Sequence, residues 1–309
     1  VFTKIESVQK KWDTIQLPDF LNTDFLKIFS QNHPKIKHLF IIDTNIRLYA
    51  HIFKLTFNKT KHYLKKNLFA ILALNLLNFN VLYLTNSFIT NVPAFKSDDF
   101  INLKELLKTI KHKYSLIVIP DFLFNKMKFQ DKEYTKVEVE EEMILNINKK
   151  WNKLEDYLID LKKKYRNKIK NIIQKTSNLE IKNLNIKDLK IHANDIQLLF
   201  NQVAKSSRFE GPLFNTASLI QLVNKGFLKI DGYFLSNKLV GFSSTIEQEN
   251  LLYSYFVGFD KKLNKSIPIY GRILTENVNT AIKLNKQMLI LGRTANEYKS
   301  NLFIYKLLR

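Results

Sequence analysis

Residues 227–260 read FLKIDGYFLSNKLVGFSSTIEQENLLYSYFVGFD, which is three strand-length apolar segments joined by two short polar turns. The turns, Ser236-Asn237-Lys238 and Gln248-Glu249-Asn250, consist of residues that are common in hairpin turns. All seven glycines of the chain lie after residue 210, in and around this stretch. The pattern therefore predicts an antiparallel meander with strands at 227–235, 239–246 and 251–259.

A helix and a further strand follow the meander. Apolar residues recur at helical spacing over 267–284, with Ser266 as the expected N-cap and Pro268 in the first turn. A buried-strand pattern at 287–291 precedes the polar string RTANEYKS. Upstream of the meander we predict a strand at 179–186 and helices at 192–206 and 216–225. This order predicts an α/β domain with a mixed sheet.

The N-terminal half also alternates strand and helix patterns. Apolar, β-rich runs at 38–44 and 46–57 flank the turn Asp43-Thr44-Asn45, which predicts a hairpin. Further strands are predicted at 80–88 and 115–119, with a helix at 98–113 between them. We expect two domains, 1–150 and 151–309.

A basic amphipathic helix is predicted to open the second domain. Apolar residues recur at steps of three and four over 151–173, and residues 149–170 carry nine Lys or Arg against three acids. This charge is either a solvated helix face or a docking surface for a phosphate-rich polymer such as tRNA. The net charge of +21 favours anionic partners in general.

Composition excludes several kinds of site. The chain has no Cys, which removes disulfides, thiolate metal sites and Cys nucleophiles. Its six His residues show no metal-binding spacing, so no catalytic metal is expected. The most apolar stretch, 68–84, is interrupted by Asn and reads as a buried helix running into a strand. No signal peptide is visible in the first residues, and we expect a cytoplasmic protein, with peripheral membrane contact as an alternative.

Three passages carry a resemblance to a known family. WNKLEDYLIDLKKKYRNKIKNIIQ, YFLSNKLVGFSSTIEQENLLYSYFVGFD and ILGRTANEYKSNLF resemble segments of GNAT-type N-acyltransferases, and within them the Fem-type peptidyltransferases. The resemblance covers 151–309, with a weaker likeness over 20–150. It implies two GNAT-like halves in tandem, the first of them degenerate, and transfer of an acyl or aminoacyl group to an amine.

The resemblance also implies a cofactor loop after the third meander strand. Such folds cradle the pyrophosphate of CoA on a glycine-rich loop at a helix N-terminus. The matching stretch here, 258–266, has a single glycine. We expect the first N–H groups of the following helix to be free there, with Lys261, Lys262, Lys265 and Ser266 supplying the contacts to acyl-CoA.

Candidate reacting groups lie near the strand ends where this fold places its cleft. Tyr253 and Tyr255 are expected on one strand face as acid or oxyanion donors, with cross-strand packing as the alternative. Past the strand at 287–291, Glu297 is the expected base. Arg293 and Lys299 are expected anion contacts in one compact charged cluster, with a loop-edge ion pair as the alternative.

The loop at 206–212 offers a second substrate contact. Its Arg208 and Glu210 could grip the amine substrate, or the loop could simply join two helices. Three functions stay open from the sequence: an acyl-CoA-dependent N-acyltransferase, an aminoacyl-tRNA-dependent Fem-type transferase, and an inactive fold that binds nucleic acid or acidic lipid. The first is the leading hypothesis.

Overall fold

The computed structural model describes residues 1–55, 79–89, 92–97, 100–124, 126–128, 134–137, 142–204, 212–292, 295–300, 302 and 306–308. The chain divides into two compact units. The first comprises Val1–Val137 and Arg208–Ser218, and the second comprises Glu138–Ser207 and Leu219–Arg309. This division differs from the expected one after residue 150, because a strand at 142–146 pairs within the sheet of the second unit.

The first unit is built on a mixed sheet. Its helices and strands are α1 (Gln9–Trp12), α2 (Thr23–Asn32), β1 (Lys37–Asp43), β2 (Ile46–Leu55), β3 (Phe79–Tyr83), β4 (Phe95–Ser97), β5 (Ile101–Asn102), α3 (Leu103–Thr109), β6 (Leu116–Val118), α4 (Asp121–Phe124) and β7 (Met127–Lys128). The described strands of the main sheet run in the order β1-β2-β3-β6, and β4 also pairs with β2. The first three are antiparallel, and β3 is parallel to β6.

The second unit repeats that topology on a larger scale. Its helices and strands are β8 (Glu142–Asn146), α5 (Leu154–Asp160), α6 (Lys163–Lys175), β9 (Glu180–Asn183), α7 (Ile186–Ile191), α8 (Ala193–Ala204), α9 (Ala217–Asn224), β10 (Lys229–Leu235), β11 (Lys238–Glu247), β12 (Leu251–Phe259), α10 (Ile269–Lys283), β13 (Met288–Gly292), α11 (Asn296–Ser300) and β14 (Lys306–Leu308). The described strands run in the order β14-β8-β13-β12-β11-β10-β9. The predicted meander is β10-β11-β12, antiparallel throughout, and β12 is parallel to β13.

The two-residue turn between β10 and β11 explains the start of the meander. Ser236 and Asn237 both adopt positive φ, at 48° and 65°. Two central residues of this kind form the hairpin turn whose twist matches that of the flanking strands. The turn thereby fixes the register of the first hairpin.

The core of the second unit lies between its sheet and α10. Leu145, Leu252 and Leu289, from three neighbouring strands, are buried in one cluster with Leu274 and Val278 of α10. A helix with one apolar stripe is stabilised mainly by such burial against a sheet. The core therefore holds α10 across β12 and β13, the two strands that border the candidate site.

The predicted basic helix over 151–173 is two helices, α5 and α6. Leu161 leaves helical geometry at φ −73° and ψ 145°, and its side chain is buried in the same core. The apolar spacing continues across the break, so the sequence pattern does not mark it. Tertiary packing of Leu161 decides the break.

Two other predicted elements are shorter in the structure. The strand expected at 80–88 ends at Tyr83, and the helix expected at 98–113 is the shorter α3. Most of the apolar stretch 68–84 lies outside the described residues. Within the described ranges, every helix is too short or too polar to cross a bilayer.

Candidate functional site

The second unit has a gap between its two central parallel strands. β12 pairs with β13 at Leu251, Leu252 and Tyr253, opposite Met288 to Ile290. Beyond Tyr253, β12 continues to Phe259 alongside β11, while β13 keeps its pairing with β8. No described strand pairs with β12 on its β13 side past Tyr253. The gap opens at the carboxyl ends of parallel strands, where α/β proteins bind their ligands.

A β-bulge bends β12 where it leaves β13. Ser243 pairs with Val257 and Thr245 pairs with Ser254, so Tyr255 and Phe256 together oppose the single residue Ser244. The Ser244 hydroxyl donates to the Phe256 carbonyl at 2.7 Å and accepts from the Phe256 N–H at 2.9 Å. Bulges increase the local bend and re-aim side chains beside active sites. Ser244 therefore holds β12 in the conformation that opens the gap.

The two tyrosines proposed as reacting groups lie on either side of the start of the bulge. Burial, with the Glu142 carboxylate adding to it, raises the pKa of Tyr253 to about 12. Burial also raises the pKa of Tyr255 well above its usual value, and its hydroxyl oxygen is buried. The bulge interrupts the simple alternation expected of them. Both phenols are neutral at neutral pH, so they can donate a hydrogen bond but cannot serve as bases.

One of the three residues of the predicted charged cluster, Lys299, is buried. Lys299 of α11 is 2% exposed, and its Nζ donates to the carbonyls of Leu291 at 2.5 Å and Gly292 at 3.2 Å. The ammonium thus covers carbonyl groups at the end of β13, inside the protein, and does not face an external anion. Glu297 is exposed on α11, and Arg293 lies outside the described residues.

The loop between β12 and α10 uses its own backbone N–H groups. The Asp260 carboxylate accepts from the N–H groups of Lys262 at 2.9 Å and Leu263 at 3.0 Å. Asn264 Oδ1 accepts from the N–H of Tyr270 at 2.8 Å, at the start of α10. The expected N-cap, Ser266, instead donates its hydroxyl to the Leu263 carbonyl. The N-cap position of α10 is Pro268, so the prediction for Ser266 was wrong, and Asn264 supplies the side-chain acceptor for the N–H of Tyr270.

Comparison with known proteins identifies the fold. No family model and no curated protein matches the sequence. Solved structures do match along nearly the whole chain. The C-terminal domain of a protein described as a lysylphosphatidylglycerol synthetase, from Agrobacterium fabrum, has a TM-score of 0.52 at 9% identity, covering 97% of this chain and 81% of that one.

Two further structures give the same result. L-PGS from Bacillus licheniformis has a TM-score of 0.51 at 13% identity, over 89% of this chain and 75% of that one. A conserved protein of unknown function from Bacteroides thetaiotaomicron has a TM-score of 0.50 at 12% identity, over 93% and 90%. The chain has an acyltransferase-like α/β fold. At these identities the likeness extends to the fold alone.

In this acyltransferase-like fold, the loop before α10 does not fit a backbone-held pyrophosphate. Every backbone N–H from Asp260 to Tyr270, apart from Pro268, which has none, donates to an acceptor within the protein. The sequence-based expectation that these groups are free was therefore wrong. The side chains of Lys261, Lys262 and Lys265 remain exposed and available to an anion.

The nearby glycines serve packing. A Cβ on Gly258 would lie 2.7 Å from the Phe200 nitrogen and 2.8 Å from the Leu199 carbonyl carbon of α8. A Cβ on Gly271 would lie 2.8 Å from Ile172 of α6 and from the Tyr298 hydroxyl. Close approach of helices requires glycine at both positions.

The basic helix α6 borders the candidate site. We define its basic face as Lys162, Lys163, Lys164, Arg166, Lys168 and Lys170. Lys168 Nζ lies 5.8 Å from the ring centroid of Tyr298, whose ring is 5.2 Å from that of Tyr270 at the start of α10. Lys168 of the basic face therefore lies beside Tyr298 of α11, the helix that follows β13.

A second polar cluster lies in the first unit and was missed from the sequence. His38 of β1 and His51 of β2 are direct cross-strand partners. His51 Nδ1 accepts from the N–H of Ser87 at 3.1 Å, so its proton is assigned to Nε2, which donates to His38 Nδ1 at 3.2 Å. The Tyr49 hydroxyl also donates to His38 Nδ1, at 2.7 Å, and His38 Nε2 donates to the His33 carbonyl at 3.1 Å.

These histidines are neutral. Burial lowers the pKa of His38 to about 4 and lowers the pKa of His51 well below its usual value. Burial also lowers the pKa of His33, whose Nε2 accepts from the N–H of Asn215 at 2.9 Å. A sequence signal existed, because a hairpin turning at residues 44–45 places positions 38 and 51 opposite each other. Within the described ranges, no set of His, Asp or Glu side chains is arranged to hold a metal ion.

Five of the predicted site residues lie on β12 and on the loop that follows it. Tyr253 and Tyr255 are on β12 where its pairing with β13 ends, and Lys261, Lys262 and Lys265 are on the loop that leads from β12 to α10. Arg208, Glu210 and Arg293 fall outside the described residues. The sequence did not reveal Ser244, because a serine that bridges a bulge is recognisable only once the register of both strands is known.

Proposed function

We propose that the second unit is a transferase that moves an acyl or aminoacyl group from an activated carrier onto an amine. The observation that carries the proposal is the parting of β12 from β13 after Tyr253, held by the Ser244 bridge across the bulge. An extended substrate can bind by lying along the edge of a strand, and no described strand pairs with β12 on its β13 side past Tyr253. The gap therefore suits a donor arm that lies along β12 with its carbonyl near the bulge.

The proposed chemistry uses Tyr253, Tyr255 and Glu297. The amine nitrogen attacks the carbonyl carbon, a C–N bond forms, and the C–O or C–S bond to the carrier breaks. Tyr253 and Tyr255, as neutral phenols, donate to the developing oxyanion or to the departing oxygen or sulfur. Glu297 is the proposed base, which takes the amine proton, and the leaving group regains a proton.

Two donors are compatible with this proposal. The exposed Lys261, Lys262 and Lys265 support acyl-CoA through side-chain contacts to its phosphates. The basic face of α6, which reaches Tyr298, supports a larger polyanionic carrier such as aminoacyl-tRNA. Arg293 and, across the loop at 206–212, Arg208 and Glu210 remain proposed contacts to the substrates. Peripheral binding to a membrane remains a proposal that these contacts neither require nor oppose.

The test is a transfer assay with labelled donors. Purified protein is incubated with a panel of amines and either acyl-CoA of varied length or aminoacyl-tRNA, and labelled amide is measured. The Tyr253→Phe and Tyr255→Phe variants are each expected to lose about a hundredfold to a thousandfold in rate, the range for a lost oxyanion donor. Tyr114→Phe, in the first unit, is the matched control. Absence of transfer from every donor would leave an inactive fold that binds anions.

Charge reversal separates the two donors. Replacing Lys162, Lys163, Lys164 and Arg166 by Glu is expected to abolish transfer from aminoacyl-tRNA and to leave transfer from acyl-CoA nearly intact. The reason is that a polyanion is bound largely through its phosphates, with a steep salt dependence. Replacing four exposed lysines of the first unit, Lys10, Lys35, Lys104 and Lys111, by Glu controls for the change in net charge.

A further inference from the structure

We infer that the loop between β12 and α10 is an anion cradle filled by the protein itself, and that Asp260 and Asn264 exclude a donor whose carrier is held there by a diphosphate. This inference rests on the proposed transfer function and specifies its donor. The carrier must be held by contacts other than the backbone N–H groups of residues 260–270.

Three side chains from two elements fill the cradle. Asp260 accepts from two loop N–H groups, and Asn264 accepts from the N–H of Tyr270 in the first turn of α10. Gln202 of α8 accepts from the N–H of Lys261 at 3.0 Å. Oxygen atoms of the protein therefore occupy positions that a phosphate would take at a helix N-terminus. A diphosphate could bind there only by displacing them.

Charge strengthens the exclusion. A diphosphate bound at this loop would need hydrogen-bond donors around it, but the Asp260 carboxylate places a negative charge there. The carboxylate and the diphosphate would therefore repel each other. The remaining N–H groups of the loop donate to backbone carbonyls, such as that of Asn264 to the Asp260 carbonyl at 2.9 Å. Freeing those groups would require the loop itself to refold.

The exposed lysines of the loop attract anions but do not form a defined binding site for them. Lys261, Lys262 and Lys265 are surface side chains, and exposed charges of this kind are screened by salt. We expect them to bind CoA, ADP and tripolyphosphate alike, weakly and in a salt-dependent manner. Binding that depends on charge alone does not distinguish a diphosphate cofactor from other anions.

The test begins with the wild-type protein. Calorimetric titration with CoA, ADP, tripolyphosphate and pantetheine at low and high salt is expected to give millimolar binding of the three anions, lost at high salt, and none of pantetheine. Saturable micromolar binding of CoA that survives high salt would overturn the inference, whatever the variants do.

Variants then test the two named residues. Asp260→Gly with Asn264→Gly frees three N–H groups and is expected to tighten CoA and ADP binding by about tenfold, equivalent to about 1.4 kcal/mol, with no change for pantetheine. Asp260→Asn keeps an acceptor oxygen in place while removing the charge, so it should give a smaller gain. Ser7→Ala in the first unit is the control, because that exposed hydroxyl likewise donates to a backbone carbonyl, that of Lys4, and blocks no N–H.

The outcomes separate this inference from the proposed function. Circular dichroism checks that each variant is folded. If the double variant does not fold, the titrations of Asp260→Asn test the inference in its place. A folded variant that gains no affinity overturns the role of Asp260 and Asn264. Transfer from acyl-CoA with tight binding overturns the inference and leaves the proposed function standing. Failure of transfer from every donor overturns the proposed function, whatever the titrations give.

Discussion

Acidification from pH 7 to pH 4 is expected to destabilise the first unit through its buried histidines. His38 is neutral in the folded state because burial lowers its pKa to about 4 from the usual 6.5. Between these two values the unfolded chain binds a proton that the folded chain does not. The stability that neutral His38 contributes is therefore fully present above pH 6.5. It decreases as the pH falls from 6.5 to about 4, and it does not decrease further below about pH 4.

The size of the effect follows from the two pKa values. The difference between 6.5 and about 4 corresponds to a loss of about 3 kcal/mol from His38 alone, at about 1.4 kcal/mol per pH unit. His51 and His33 add to it, because burial lowers the pKa of each in the same direction. A loss of this size is a large fraction of the ~5–15 kcal/mol that stabilises an ordinary domain.

Urea unfolding between pH 7 and pH 4 measures this loss. The Trp151→Phe variant leaves Trp12, which is buried in the first unit, as the fluorescent reporter. Adding His38→Gln should lower the free energy of unfolding at pH 7, because the network loses hydrogen bonds. The further loss of unfolding free energy between pH 7 and pH 4 should then be about 3 kcal/mol smaller than in the protein that keeps His38. Carboxylates titrate identically in both proteins, so the difference isolates His38. Equal pH slopes with and without His38 would refute the reasoning.

Three further substitutions test packing and polar contacts around the site. Ser244→Ala removes the bridge across the bulge and is expected to cost about 1–3 kcal/mol, read as a lower thermal midpoint together with slower transfer. Gly258→Ala should cost at least ~1–3 kcal/mol, because the new Cβ would press on the backbone of α8 at Phe200; urea unfolding measures it, and an unchanged midpoint would contradict the packing. Lys299→Met should cost about 1–3 kcal/mol by leaving the carbonyl of Leu291 without its donor, whereas an anion contact would show as a raised KM with unchanged stability.

The meander and its flanking elements could be predicted because their signals are local. The strands predicted at 227–235, 239–246 and 251–259 are β10, β11 and β12 to within two residues, and the helix predicted at 267–284 is α10. Each is bounded by turn residues a few positions away. Alternation with a two-residue period and apolar spacing near 3.6 residues can both be read within such short windows.

The features that the sequence did not reveal depend on distant pairing. β8 joins β13 from more than a hundred residues away, so nothing in its own pattern assigns it to the second unit. The bulge at Tyr255 and Phe256 depends on the register against β11, and the filled loop depends on where the oxygens of Asp260 and Asn264 point. The residue types were visible in each case, but their partners were not.

The repeated topology also indicates which half offers an open site. In the first unit β3 pairs with β6 over three residues ending at Tyr83, as β12 pairs with β13 over three residues ending at Tyr253. The residues that follow differ. After Tyr83 the chain is largely buried, and Ser87 bonds to His51 while Phe88 packs 4.0 Å from the His33 ring. After Tyr253 the strand stays partly exposed over residues 254–257. In the first unit, buried side chains fill the position that follows the β3–β6 pairing. The corresponding position after the β12–β13 pairing stays partly exposed, so a substrate that binds where the two strands separate has room in the second unit.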